Sequence, residues 1–433
     1  MKLYERVLIL GYGRSGRAAE KLLRAEGCET VVCSNDSLSE ADFFQTLETN
    51  EFDVCIVSPG FGLSNPWIKA VQKKGVRLLS ELELGWSRHP GRTIAVTGSN
   101  GKSTAVKWIC ESLVEDGKNA VIGGNYGIPA CEVVLENPEL DWLVLEVSSF
   151  QLETVQEFRA DVAVVLNVLP NHLDRHGTMA CYRKIKARIF GPEKNPSGLC
   201  LAPQALLSIF RSDVPGKRNW VTFGDDGDFS YRNSEVFQGT ERVLKLEKTL
   251  FDSPVIGGCT GAAMAAIAAG CGLAYRAVEC AAQTFKPLPH RLQCIGEHEG
   301  VVFVNDSKAT NLSAMAAALG ACGQNIHLIA GGLPKESDYT FVKEILAERV
   351  RTLYLIGQAS GAMFEAWNEV CFCVECGTLE GAFGKATETA RAGDTLLLSP
   401  GCASFDQFNS FEERGDRFEK LFNRAKQAGN SAL

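Results

Sequence analysis

The sequence predicts an α/β protein of three domains in series, each a mostly parallel sheet covered by helices. Three observations carry this. Apolar runs of four or five residues alternate with helix-length stretches, the pattern of strands buried on both faces and joined by crossover helices. Glycine-rich turns follow the first strand of the first two units. Two breaks, His89-Pro90-Gly91 and Lys286-Pro287-Leu288-Pro289, interrupt regular structure and set limits at 1–90, 91–287 and 288–433. A chain of 433 residues is long enough for about three domains with separate cores.

Composition narrows the class further. Apolar content of 45% and charged content of 22% are those of an ordinary globular protein. A net charge of −8 excludes non-specific nucleic-acid binding, which needs a basic face. Anionic ligands must then be held locally. Sixteen scattered cysteines without an export signal predict reduced thiols and a cytoplasmic protein. The run Val7–Leu10 is too short and wrongly flanked for a signal peptide. The apolar stretch Ala262–Ala274 is broken by glycine and falls short of a membrane span. Cys371-Phe372-Cys373-Val374-Glu375-Cys376 lacks a second cysteine pair nearby, so alternation in a partly buried strand explains it better than zinc.

In the first segment, strands are expected at Val7–Leu10, Thr30–Cys33 and Val54–Val57, with helices at Ser15–Glu26, Pro66–Lys74 and Glu81–Arg88. Between the first strand and helix stands Gly11-x-Gly13-x-x-Gly16, with Asp36 near the distance of a ribose-binding acid. That spacing matches a dinucleotide fingerprint. Alone it admits NAD, and it supports a nucleotide diphosphate more strongly.

The second segment opens with Thr93-Ile94-Ala95-Val96, then Thr97-Gly98-Ser99-Asn100-Gly101-Lys102-Ser103-Thr104, then a helical stretch from Ala105 to Val114. Strand, glycine turn and helix make a phosphate cradle, because backbone N–H groups and the helix N-terminus both face the anion. Lys102 suits the β- and γ-phosphates of a nucleoside triphosphate, and the Ser103 hydroxyl suits Mg²⁺. The pattern is a shortened T-G-x-x-G-K-S-T, with Val96 where the longer motif has its first glycine. Further strands are expected at Trp142–Leu145 and Val162–Leu166. Glu146 ends the first of these, where Mg²⁺ is usually held; a solvent-facing strand-end acid is the plainer alternative. His172, in the loop after the second, suits a metal ligand and a backbone hydrogen bond equally. Lys186 follows Tyr182 by four residues on one helix face, and spacing alone does not separate it from a solvated lysine.

In the third segment, strands are expected at Val301–Val304, Ile326–Ile329, Leu353–Ile356 and Thr395–Leu398. Two polar loops follow strand ends, Asn305-Asp306-Ser307-Lys308-Ala309-Thr310-Asn311 and Ser399-Pro400-Gly401-Cys402-Ala403-Ser404-Phe405-Asp406-Gln407-Phe408. Each could be a turn with a helix cap. Two in one domain of this class predict a ligand pocket.

These residues together resemble the Mur ligase family of ATP-dependent amide-forming enzymes, of which the shortened cradle is the hallmark. Leu288-Pro289-His290-Arg291, Asp306 to Asn311 and Ser399 to Phe408 resemble the members that add D-glutamate. The resemblance covers essentially the whole chain. It implies a Rossmann-like N-terminal domain holding UDP, a central P-loop ATPase-type sheet and a Rossmann-like C-terminal domain. It implies ATP, two Mg²⁺ ions, and UDP-N-acetylmuramoyl-L-alanine and D-glutamate as substrates of a monomer without membrane insertion. By the same resemblance Gly11, Gly13, Arg14, Ser15, Asn125 and Tyr182 contact the UDP substrate. Gly98, Asn100, Gly101, Lys102, Ser103, Thr104, Arg291 and Asp306 hold the nucleotide. Ser103, Glu146, His172 and Lys186 hold metal, with Lys186 carbamylated by CO₂, and Thr310, Lys335, Ser404 and Phe411 surround D-glutamate.

Three departures from the family pattern stand out. Gly257-Gly258-Cys259-Thr260-Gly261-Ala262-Ala263 replaces G-x-H-N-x-x-N, so both nucleotide-holding asparagines are absent. Ser34-Asn35-Asp36 differs from the usual residues after the second strand, and Leu333-Pro334-Lys335 lacks an upstream acid. Alternatives are a related ligase for another amino acid, a silent nucleotide-binding homologue, and an NAD dehydrogenase resting on the first fingerprint alone.

Overall fold

A computed structural model describes residues 3–34, 38–252, 254–335 and 338–430; Asp36 lies outside them. By contact the chain forms two compact units. Met1–Val168 with Arg175–Phe285 make the first, and Leu169–Asp174 with Lys286–Leu433 the second.

The first unit holds two sheets. A four-stranded parallel sheet runs Glu29–Cys33, Arg6–Leu10, Val54–Val57, Arg77–Ser80. Order reverses about Arg6–Leu10, and in such sheets the crevice at that point takes the ligand. A nine-stranded sheet runs Glu241–Lys245, Glu235–Gln238, Phe229–Arg232, Trp220–Phe223, Leu199–Pro203, Val162–Val165, Arg92–Thr97, Trp142–Glu146, Ala120–Gly124. Its strand Arg92–Thr97 pairs in parallel with neighbours on both sides. That strand is buried on both faces: Ala95 joins one apolar core, Ile94 and Val96 the other. The first of these cores also takes in Val7, Ile9 and Ile56 of the four-stranded sheet.

The second unit carries a six-stranded sheet, Gln293–His298, Val301–Asn305, Thr395–Leu398, Ile326–Gly331, Val350–Ile356, Phe372–Gly377. All pairs are parallel except the first.

The expected buried strands are present, most one to three residues longer than their apolar runs. The strands Arg77–Ser80, Ala120–Gly124, Leu199–Pro203 and Trp220–Phe223, the antiparallel ladder from Phe229 to Lys245 and the edge strand Gln293–His298 were not expected. All are short and most carry polar or glycine residues, so neither long apolar runs nor helical periodicity marks them. Cys373 and Cys376 lie in the edge strand Phe372–Gly377. Gly257 to Ala263 fall within the helix Pro254–Cys271, which buries every residue from Ala262 to Ala268. Among the described residues no helix is long and apolar enough to cross a membrane.

Candidate active site

The phosphate loop forms where the strand Arg92–Thr97 meets the helix Lys102–Glu115. Gly101 is the helix N-cap with φ +82°, a conformation that costs glycine nothing and other residues much. The loop is tied to the next strand by a residue outside the motif. Asn167 Oδ1 accepts from Ser99 N at 2.9 Å and Asn100 N at 3.0 Å, while its Nδ2 donates to Asn100 O at 3.1 Å. Lys102 folds back onto the loop, its Nζ donating to Gly98 O and Ser99 O at 2.9 and 3.0 Å. Ser103 is buried and Thr104 half-buried on the first helical turn.

Glu146 is not the solvent-facing acid of the plainer alternative. It ends the strand Trp142–Glu146 and is 2% exposed. Its Oε1 accepts from Asn125 Nδ2 at 2.6 Å, while Oε2 is buried without a hydrogen-bond partner. Asn125 N also donates to Glu146 O at 2.8 Å, so the two residues are locked as a pair. An orphaned buried carboxylate oxygen at a strand end is costly unless a cation fills it. The site therefore fits a divalent metal.

Lys186 is equally far from a solvated lysine. On the helix Met179–Ala187 it is 1% exposed. Its Nζ donates to Gly98 O at 2.9 Å and to Thr97 Oγ1 at 3.4 Å, and lies 4.6 Å from the Tyr182 ring centroid. Burial holds its pKa well below the usual lysine range, Lys102 adds to the depression, and Glu146 opposes it. Tyr182, also buried, shares a hydrogen bond with Ser99 Oγ at 3.2 Å, and burial pushes its phenol up to about 12. The structure thus brings Gly98, Lys102, Lys186 and Tyr182 together, and Asn125 with Glu146.

In the N-terminal fingerprint, Gly11 and Gly16 are required by close approach. A Cβ on Gly16 would lie 2.0 Å from Gly11 O, and one on Gly11, whose φ is +88°, 2.9 Å from Ser58. Gly13 caps the helix Arg14–Ala25, on which Ser15 follows. Arg14 Nη2 donates to Gly127 O at 2.7 Å, tying the fingerprint to the loop that carries Asn125.

His172, at φ +54°, stands in the segment Leu169–Asp174 that belongs to the second unit. In that unit Asp306 lies at the carboxyl edge of the sheet. Its Oδ2 accepts from Ser399 Oγ at 2.8 Å and Oδ1 from Leu292 N at 3.1 Å. Burial raises its carboxyl to about 7, opposed by those hydrogen bonds and by the cations Arg291 and Arg414. Lys335 Nζ donates to Thr310 Oγ1 at 3.4 Å. Leu333 and Ala403 exchange backbone hydrogen bonds of 2.9 and 3.0 Å, setting the Lys335 loop beside buried Ser404. Phe411 O accepts from Ser307 Oγ at 2.8 Å, and the Lys308 ammonium lies 5.0 Å from the Phe411 ring centroid.

Sequence reasoning passed over Arg414. It is 1% exposed on the helix Phe411–Asn430. Its guanidinium donates to Ser307 Oγ and O and to Cys402 O and Ala403 O at 2.8–3.3 Å, bolting both polar loops together. Only an arginine near a helix start, after two polar loops, could have signalled it.

A phosphate loop, an orphaned strand-end carboxylate and an abnormally buried lysine define a nucleotide-dependent ligase site on an α/β frame. The chain belongs to the Mur ligase family: residues 96–270 match the Mur ligase middle domain and residues 290–402 the Mur ligase glutamate ligase domain. It is 35% identical to the UDP-N-acetylmuramoylalanine--D-glutamate ligase of Koribacter versatilis, over 96% of this chain and 97% of that one. It is 36% identical to the same-named ligase of Acidobacterium capsulatum, over 96% of each chain. Among solved structures the fold resembles the MurF ligase of Thermotoga maritima in complex with ADP, with a TM-score of 0.57, 18% identity, and 89% and 92% of the two chains covered.

Proposed function

We propose that this chain joins the carboxylate of UDP-N-acetylmuramoyl-L-alanine to the amine of D-glutamate at the cost of ATP, in peptidoglycan precursor synthesis. The observation that carries the reading is the near full-length match to D-glutamate ligases together with buried Glu146 and Lys186 and half-buried Lys102 around the phosphate loop. A carboxylate is a poor acyl donor. In the first step its oxygen attacks the γ-phosphorus of ATP, ADP leaves, and an acyl phosphate results. In the second the amine nitrogen of D-glutamate attacks the acyl carbon, inorganic phosphate leaves, and the nitrogen gives up a proton.

The chain's own residues position and neutralise this chemistry. Gly98, Asn100, Gly101 and Thr104 frame the phosphates, and Lys102 turns from the loop carbonyls to the γ-phosphate as charge develops there. Arg291 and Asp306 contact the nucleotide. The fingerprint Gly11, Gly13, Arg14 and Ser15 takes UDP, and Asn125 and Tyr182 border the same substrate. Thr310, Lys335, Ser404 and Phe411 surround D-glutamate, with Lys335 giving a charge-assisted bond to a carboxylate. Ser103, Glu146, His172 and Lys186 would hold two Mg²⁺ ions, which would neutralise phosphoryl oxygen charge. Lys186 serves as its carbamate: a neutral amine, favoured by burial, bonds to the carbon of CO₂ and loses one proton. The limits 1–90, 91–287 and 288–433, a cytoplasmic monomer and reduced thiols belong to the same reading.

The test is product mass. Protein incubated with ATP, Mg²⁺, UDP-N-acetylmuramoyl-L-alanine and D-glutamate should yield the UDP substrate enlarged by one glutamyl residue. Absence of that product, with another amino acid incorporated instead, overturns the assignment of D-glutamate.

A further inference from the structure

Arg175 follows the segment that carries His172 and lies in no motif. Its guanidinium makes four hydrogen bonds. Nε and Nη2 donate to the two oxygens of Glu153 at 2.9 and 2.6 Å, a bidentate pair. Nη1 donates to Pro59 O at 2.8 Å and Nη2 again to Phe61 O at 3.1 Å. Its carbon lies 4.2 Å from the Phe150 ring centroid. Four of the five N–H donors that a guanidinium owns are thereby used. The side chains of Arg175 and Glu153 are 18% and 5% exposed, so the pair is shielded from the screening that weakens surface ion pairs.

The partners join two parts of the first unit. Pro59 and Phe61 lie in the loop after the strand Val54–Val57 of the four-stranded sheet. That loop is the floor of the fingerprint: Ser58 Oγ donates to Gly11 O at 3.0 Å, and Phe61 would be 3.1 Å from a Cβ on Gly11. Glu153 closes the short helix Ser149–Leu152, which follows the strand ending in Glu146. From there contacts continue inward. His176 Nδ1 is 3.5 Å from Glu153 Oε1, its Nε2 is 3.0 Å from Ser149 Oγ, and its ring centroid is 5.2 Å from that of Tyr182.

We propose that Arg175 is a positioning residue for the UDP substrate, fixing the Pro59–Phe61 loop beneath the glycine fingerprint by clamping it to Glu153. The proposal rests on the reading that the fingerprint takes UDP. A backbone loop with its carbonyls held by a planar cation is preorganised, and loop ordering need not be supplied by the ligand. Lysine cannot replace it, since an ammonium lacks the planar fork.

Calorimetric titration of wild type, Arg175→Ala and Arg175→Lys with UDP-N-acetylmuramoyl-L-alanine, and separately with adenylyl imidodiphosphate and Mg²⁺, tests this. Both variants should bind the UDP substrate about tenfold or more weakly, while affinity for the ATP analogue stays within about twofold. Millimolar guanidinium should restore part of the loss in Arg175→Ala, and ethylammonium none. Unchanged affinity for the UDP substrate overturns the proposal alone, as does equal weakening for both ligands, which marks a general structural role. Wild type that fails to bind the UDP substrate overturns the reading beneath it as well. Should Arg175 variants not fold, Glu153→Gln should show the same selective weakening, and unaltered binding there is equally fatal.

Discussion

Lys102 and Lys186 donate their side-chain amines to one carbonyl oxygen, that of Gly98, each at 2.9 Å. Two ammonium groups cannot both sit there comfortably out of water. Lys186, the more buried, yields: burial first and Lys102 second depress its pKa. On the proposed reading, that depression favours the neutral Lys186 amine that CO₂ requires. Lys186→Ala should lower kcat for phosphate release by about 100-fold or more. Short carboxylates added in millimolar amounts should return part of the activity, and a fully active variant would eliminate the role.

Asn125 Nδ2 donates to Glu146 Oε1 at 2.6 Å, the place of an outer partner if Glu146 holds metal as proposed. Asn125→Ala should raise the Mg²⁺ concentration for half-maximal activity by about 10–100-fold. Glu146→Gln should raise it at least as much. A Mg²⁺ titration curve identical to wild type in both variants counts against the metal assignment.

Arg414 is the tie between the loops of Ser307 and Cys402, with its pKa lowered by burial to about 10. Arg414→Leu removes the cation and strands several carbonyls, for a loss of about 3 kcal/mol in stability. Urea unfolding measures this. In folded variant protein the KM for D-glutamate should rise more than that for ATP, because Ser404 and Phe411 flank the bolted loops.

Glu81 accepts from Cys131 N at 2.7 Å, yet its Oε2 is buried without a partner, and burial raises its carboxyl to about 7. The unfolded chain ionises this group near 4.5 and the folded chain only near 7, so the folded state holds the extra proton between those values. Stability from this group is therefore greatest below about 4.5 and falls as pH rises to about 7, by up to about 3 kcal/mol, then stays level. Glu81→Gln should flatten that slope in denaturant midpoints measured from pH 4.5 to 7. A wild-type slope retained in the variant would contradict the assignment.

Much of this is legible in the sequence. The strands Val54–Val57 and Thr395–Leu398 stand at their expected limits, because continuous β-branched and leucine runs admit little else. The cradle from Gly98 to Thr104 was legible because a phosphate loop needs residues of fixed type at fixed spacing. Lys186 and Glu146 were ambiguous for a physical reason: burial decides both, and burial is made by distant elements. Lys186 is hidden by the loop at Thr97 and Gly98, 89 and 88 residues away in sequence. Asn167, Arg175 and Arg414 escaped because half or more of the bonds each makes go to backbone carbonyls or N–H groups, which impose no sequence pattern on their partners. Ala263 shows the converse. It stands where the family has asparagine, and it is packed in an apolar core, so at this position the chain offers ATP no side-chain hydrogen bond.

The most direct measurement is phosphate release by purified protein supplied with ATP, Mg²⁺, UDP-N-acetylmuramoyl-L-alanine and D-glutamate, with each omitted in turn. Release that needs all four, and that L-glutamate does not support, is the predicted result. Folded protein that binds the UDP substrate yet releases no phosphate at any ATP concentration would contradict it, and would make the chain a silent member of the family.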